Sequence, residues 1–263
     1  MKTKTVKKEN TIKLSFHLKY KTNYGQSIWI YGDHPLLGGG ESHNAIPLVY
    51  LNETYWVLHL NFPKTDNADK IIYHYLIKDD KGTEILEWGN DKILDLASFT
   101  NDELVLIDTW NFAGQIENVF YTEPFSSTLL KDKLESALAK KITKTKTHLF
   151  KVKAPLLKKG QTLCMIGESA VLGNWDIEKS LPLTKIKDAD YKDGVYFELA
   201  LDLKETTFPL IYKYGIYDQK KKLFINYEAG NNRVIYEPAS KNKLVICNDG
   251  FAALNSTEWK GAG

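Results

Sequence analysis

The chain is 263 residues long with 43% hydrophobic content, and its 35 basic and 33 acidic side chains nearly cancel to +2. That length holds one large or two ordinary domains, and the composition excludes wholesale disorder. No basic tract is dense enough to grip phosphate, which argues against a nucleic-acid partner. No apolar run approaches a membrane span, so no membrane partner is expected. Met1-Lys-Thr-Lys-Thr-Val-Lys-Lys8 has the charge of a signal peptide without an apolar core behind it, so the expected location is cytoplasmic. Cys164 and Cys247 are too few for a disulfide scaffold; free thiols and a single bridge both remain open.

Residues 11–18 alternate, with Ile12, Leu14, Phe16 and Leu18 on one face, and predict a half-buried strand. Lys21-Thr-Asn-Tyr-Gly25 reads as a turn and Ser27-Ile-Trp-Ile-Tyr31 as a fully buried strand. Gly38-Gly39-Gly40 makes a loop. Strands are expected around Trp56–Leu60 and Ile71–Ile77, with a hairpin turn at Lys78–Gly82, and Leu104-Val-Leu-Ile107 closes the first module before Asp108-Thr-Trp110. Residues 120–147 differ in kind: Leu130, Leu134 and Leu138 recur at helical spacing and lead into a Lys/Thr-rich stretch, which predicts a helical linker. The strand pattern then returns, from Phe150 and Val152 through Val195–Leu203 and Leu210–Tyr217 to Leu244-Val-Ile-Cys247.

The return is a repeat. Gly160-Gln161 answers to Gly25-Gln26, Gly167 to Gly32, Leu172-Gly173 to Leu37-Gly38 and Pro182-Leu183 to Pro47-Leu48, all at an offset of 135. The expected architecture is all-β: two antiparallel β-sandwich, immunoglobulin-like domains joined by a short helical linker. The boundaries are 1–119 for the first module, 120–147 for the linker and 148–253 for the second module. Residues 254–263 would begin a further domain. The copies differ at one telling place, where Trp175 follows Leu172-Gly-Asn in the second and Gly40 stands in the first.

No catalytic constellation is visible: no HExxH, no G-x-S-x-G elbow, no phosphate loop. The six histidines never sit at metal spacing, so neither metal nor cofactor is expected. What the chain offers is aromatics at turns and strand ends with polar neighbours, the equipment for stacking on the C–H face of a sugar ring. The plainer alternative makes Trp175 a core residue of an interaction scaffold built from two sandwiches.

Leu172-Gly-Asn-Trp175, Tyr212-Lys213 and Tyr227-Glu-Ala-Gly-Asn-Asn-Arg233 resemble motifs of the starch-binding module of carbohydrate-binding family 20. The resemblance implies an α-glucan partner (starch, glycogen, malto-oligosaccharide or cyclodextrin). It also implies a first glucan site on Trp175, Lys213 and Tyr227 with Glu228 and Asn232 as hydrogen-bonding neighbours. The family's second site has Lys159 and Val195 at its places in the second copy and is expected to be absent there. In the first copy Gly40 and His74 replace the turn Trp and the Lys. Tyr24 and Tyr55, with Tyr50 a looser match, correspond to the second kind of site, and Trp88 survives as a weakened platform or as core. Tandem modules before Trp259-Lys-Gly-Ala-Gly263 resemble the N-terminal region of type 2 4-α-glucanotransferases of glycoside hydrolase family 77. The catalytic barrel would lie outside this chain, which itself would hold glucan without cutting it. Attachment to another α-glucan-active enzyme is the alternative.

Overall fold

Two uninterrupted apolar runs, Leu104–Ile107 and Leu244–Cys247, decide the architecture, because a strand with no polar face must be covered on both sides. In the computed structural model, which describes residues 11–63, 70–89, 92–122, 145–187 and 195–254, all eight of these side chains are 2% exposed or less.

The first repeat contributes β1 (Thr11–Lys19), β2 (Ser27–Gly32), β3 (Ile46–Pro47), β4 (Val49–Tyr50), β5 (Tyr55–Pro63), β6 (Lys70–Lys78), β7 (Glu84–Leu86), β8 (Ile93–Asp95) and β9 (Glu103–Thr109). The second contributes β10 (His148–Lys153), β11 (Gln161–Gly167), β12 (Leu181–Pro182), β13 (Thr184–Lys187), β14 (Val195–Leu201), β15 (Leu210–Asp218), β16 (Leu223–Tyr227), β17 (Arg233–Ile235) and β18 (Lys243–Phe251). A 3-10 turn at Ile116–Tyr121 follows β9. The expected linker helix and the motif at Trp259 lie outside the described residues.

Each repeat is a sandwich of two sheets, and the fold is all-β as expected. The flanking sheets match strand for strand, β3-β2-β6-β7 with β8 on β6, and β12-β11-β15-β16 with β17 on β15. The opposing sheets are continuous with each other. β9 and β18 pair in parallel, Leu104 beside Leu244 and Leu106 beside Ile246, giving one eight-stranded sheet in the order β13-β14-β10-β18-β9-β1-β5-β4. Most ladders are antiparallel; β1·β9, β10·β18 and β9·β18 are parallel.

Side chains alternate across this common sheet. Leu104, Leu106, Leu244 and Ile246 enter the first core, with Ile28, Ile30, Tyr73 and Tyr75 of the first flanking sheet. Val105, Ile107, Val245 and Cys247 enter the second, with Leu163, Met165, Tyr212 and Tyr214. The flanking sheets therefore pack on opposite faces of one shared sheet. Each of these buried aliphatic side chains contributes about 1.5–3 kcal/mol, so the joint is itself core. Leu104–Ile107 does not close an isolated module, as expected from sequence; it lies at the centre of the molecule.

The same buried polar network is built twice. The Tyr73 and Tyr75 hydroxyls donate to Asp108 Oδ2 at 3.0 and 2.7 Å, and those of Tyr212 and Tyr214 to Asp249 Oδ2 at 2.8 and 2.7 Å. Glu87 pairs with Lys92 as Glu228 pairs with Arg233. Both cysteines are free and buried. Strand β2 departs from expectation: Ser27, Trp29 and Tyr31 are half-buried because its outer face is open, with Lys78 lying 4.7 Å over the Trp29 ring.

Candidate glucan-binding site

In the second module β11 ends at Gly167, where a Cβ would collide with the Ile211 carbonyl, and the chain turns outward. Glu168 N–H donates to Ile211 O at 3.0 Å, and Leu172 and Asn174 N–H donate to Ser169 O at 2.9 and 3.1 Å. Leu172 is fully buried and anchors the turn. Gly173, Asn174 and Trp175 then take three successive left-handed conformations, with φ of 83°, 51° and 63°. Left-handed backbone costs an L-residue about 1–2 kcal/mol, and for a bulky aromatic it is a true outlier. Trp175 emerges half-buried.

The first module repeats the turn bond for bond. Asp33 N–H donates to Ile72 O, and Leu37 and Gly39 N–H donate to His34 O. Gly38, Gly39 and Gly40 hold φ of 88°, 64° and 89°. Glycine carries the left-handed geometry there without cost, so the second copy accepts strain at Trp175 that the first avoids.

Beside the turn, Lys213 on β15 stands next to Ile166 of β11, and its Nζ donates to Gly230 O at 2.6 Å. That bond draws the 228–232 loop toward the strand. Tyr227 ends β16 opposite Gly215, half-buried, its ring 4.6 Å from that of Phe224. The 177–179 turn after Trp175 packs against β16. Adjacent strands thus bring the Trp175 turn, Lys213 and Tyr227 to one region of the flanking sheet, with exposed Asn232 in the following loop.

Glu228 is placed elsewhere. It is 3% exposed, and both its oxygens are held within the protein: Oε1 by Arg233 Nε at 2.9 Å and Tyr214 N–H at 3.0 Å, Oε2 by Arg233 Nη2 at 2.8 Å. The sequence reading of Glu228 as a sugar contact is corrected to that of an internal brace beneath Tyr227.

In the first module Tyr24 is fully exposed in the β1–β2 loop and Tyr50 is 52% exposed, its ring edge-on to Trp56 at 5.4 Å. Tyr20 N–H donates to Thr54 O, bringing the two loops together. Tyr55 does not join them. It is 6% exposed in the second core, and burial pushes its hydroxyl pKa well up. The alternation at the start of β5 turns it toward the shared joint, so it is corrected from platform to core.

Trp88 is also displaced. Leu76 pairs with Leu86 as Gly215 pairs with Tyr227, so Leu86 occupies the Tyr227 place and half-buried Trp88 falls level with Ala229. His74 stands where Lys213 does, its ring 5.3 Å from Tyr31. Sequence reasoning missed the region where β9 and β18 leave the common sheet, rich in aromatic and amide groups. Among the described residues no cluster of three His, Cys, Asp or Glu side chains could hold a metal. No helix among them is long and apolar enough to cross a membrane.

The starch-binding domain family model matches residues 11–104 and 146–246 of this doubled β-sandwich. The chain belongs to that family, in two copies.

It is similar to the 4-alpha-glucanotransferase DPE2 of Oryza sativa subsp. japonica, 26% identical over 97% of this chain and 27% of the relative. The chain thus spans about a quarter of that protein's length. Among solved structures it is similar to the glycoside hydrolase family 15 glucoamylase of Hypocrea jecorina (20% identity, 39% of this chain and 18% of that one, TM-score 0.34). It is also similar to the family 20 module of a maltotetraose-forming amylase from Pseudomonas saccharophila (17% identity, 38% and 97%, TM-score 0.29). A third is CBMbc, of family CBM26, from Eubacterium rectale Amy13K in complex with maltoheptaose (12% identity, 90% and 91%, TM-score 0.24).

Proposed function

We propose that this chain is the non-catalytic, α-glucan-holding region of a 4-alpha-glucanotransferase, with Trp175, Lys213, Tyr227 and Asn232 as the contact set of the second module. The observation that carries the reading is Trp175 held in a left-handed conformation at the place where the first copy has glycine. Strain at a residue that packing does not demand points to function. The wider protein would transfer α-1,4-glucan segments through a covalent glycosyl-enzyme intermediate formed on a barrel outside this chain. The similarity to the rice 4-alpha-glucanotransferase over 97% of the chain supports that parentage. Tyr24 and Tyr50 form a lesser contact in the first module. Two buried free thiols favour a reducing, cytoplasmic setting.

Calorimetric titration with β-cyclodextrin tests the reading. The strong site weakens by about tenfold or more in Trp175→Ala, the loss of roughly 1.4 kcal/mol expected from removing a stacking ring. Unchanged affinity in that variant overturns the assignment. Residual heat that disappears on Tyr24→Ala assigns the weaker site to the first module.

A further inference from the structure

β10, β18, β9 and β1 are neighbours in the shared sheet and run parallel, so all four end along one edge, at Lys153, Phe251, Thr109 and Lys19. The chain leaves β9 and β18 there in the same way. Past β9, Trp88 N–H donates to Asn111 O, and Asn111 N–H donates to Glu87 Oε1 at 2.9 Å. Past β18, Ala229 N–H donates to Ala253 O at 2.7 Å, and Ala253 N–H donates to Glu228 Oε2 at 3.4 Å. In each module the departing segment is bonded to the loop that carries the bracing glutamate.

The first exit goes on to dock against its neighbour. Its 3-10 turn sets the Tyr121 ring 5.6 Å from that of Phe251, and Lys153 Nζ lies about 5 Å over both. Tyr121 is buried by this contact, but Phe112, Ile116 and Val119 of the same segment are 55%, 75% and 43% exposed. The segment that displays them is internally bonded: Gln115 N–H donates to Phe112 O, Asn118 N–H to Gln115 O, and Asn118 Nδ2 to Phe112 O at 2.8 Å. Apolar side chains grouped on a bonded surface segment mark a contact with another protein surface. Ile116 and Val119 offer neither an aromatic plane nor a side-chain hydrogen bond, so a sugar gains little from them. All three residues also lie between the two stretches that match the starch-binding family model, 11–104 and 146–246.

We infer that Phe112, Ile116 and Val119 form a docking surface for the domain that continues past Leu254. The inference rests on the parentage proposed above, since this chain spans 27% of the similar rice 4-alpha-glucanotransferase and the catalytic domain would follow it. Where the described chain ends selects this occupant over others. Leu254 packs against the second core, three residues past Phe251, so the continuation departs from the edge that carries the exposed face. Consecutive elements of a chain pack on one another more often than distant ones do. The first exit already does so, through Tyr121. The departing segment is also bonded to Glu228 and Ala229, next to Tyr227, so a domain seated on this edge stands in a fixed relation to the second-module platform.

The test is hydrogen–deuterium exchange at residues 110–122, in this chain and in the full-length protein, with sedimentation velocity on both. This chain is expected to be monomeric. The Ile116–Tyr121 amides are expected to exchange about tenfold or more slowly in the full-length protein than in this chain. Ile116→Asp is expected to remove that protection from the full-length protein while leaving the Tm of this chain unchanged, because the side chain is exposed. Equal exchange in the two proteins overturns the inference, and so does protection that persists in Ile116→Asp. A dimer of this chain that Ile116→Asp dissociates overturns it equally, since the face then meets a second copy. A full-length protein without glucan-transfer activity would strike at the parentage alone, and protection at Ile116–Tyr121 would still uphold the docking surface.

Discussion

Leu106 and Ile246 stand side by side in parallel register, one from each repeat, and both point into the core of the first sandwich. The second repeat therefore supplies part of the first repeat's interior, and the first returns Val105 and Ile107 to the second. Such a joint makes the repeats one cooperative unit. Leu106→Ala should cost about 3 kcal/mol and lower a single calorimetric transition for the whole chain. Two resolved transitions, with only one moved, would show independent modules.

The equivalence of the two turns allows a graft. A Cβ at Gly40 meets nothing within 4 Å, and Leu86 and His74 hold the places of Tyr227 and Lys213. Gly40→Trp combined with His74→Lys and Leu86→Tyr should add one β-cyclodextrin site to the first module. Stability should fall by about 1 kcal/mol, from the left-handed conformation at residue 40. Unchanged stoichiometry in a folded variant would mean that these three positions do not suffice for a platform.

Glu228 separates bracing from contact. Its loss leaves the Arg233 guanidinium facing a buried gap, so Glu228→Ala should destabilise by about 3 kcal/mol or more, read as a shift in urea midpoint. Glu228→Gln keeps the shape and should lose less stability while retaining β-cyclodextrin binding. A Gln variant with wild-type stability and no binding would return Glu228 to the sugar.

His148 gives the fold an acid limit. It is fully buried, with Nε2 3.1 Å from Glu237 O and Nδ1 3.0 Å from Thr147 Oγ1, and burial pushes its pKa down from 6.5 to about 4. As the pH falls, the unfolded chain takes up this proton first. The stability contribution is therefore intact above about pH 6.5 and is lost progressively toward pH 4, by about 3 kcal/mol in all. His17, lowered mainly by its own burial, acts in the same direction. Urea titrations at pH 7.5 and 4.5 should show a smaller difference in His148→Gln than in the wild type.

Much of this was legible in the sequence, and the failures have physical causes. The offset of 135 located the turn and its Trp-for-Gly exchange because both copies need the same Leu anchor and the same left-handed glycine. Further along, differing loop lengths change the offset to 141 between Glu87 and Glu228, so Leu86, not Trp88, takes the place of Tyr227. Tyr55 is core although the sequence points to a platform, because a strand start does not declare which face is solvent. The fused sheet did leave a trace, since Leu104–Ile107 and Leu244–Cys247 lack the polar alternation of a one-sided strand.

The continuous sheet also changes what a pair of binding faces can accomplish. Modules on a slack tether search for a second foothold, and their gain follows the reach of the tether. Here the flanking sheets are fixed to opposite sides of a common slab, so the separation and angle between their outer faces are set by strand twist. With a platform on each outer face, as proposed, the protein would work as a gauge: glucan chains that match its span would be gripped twice, and others only once.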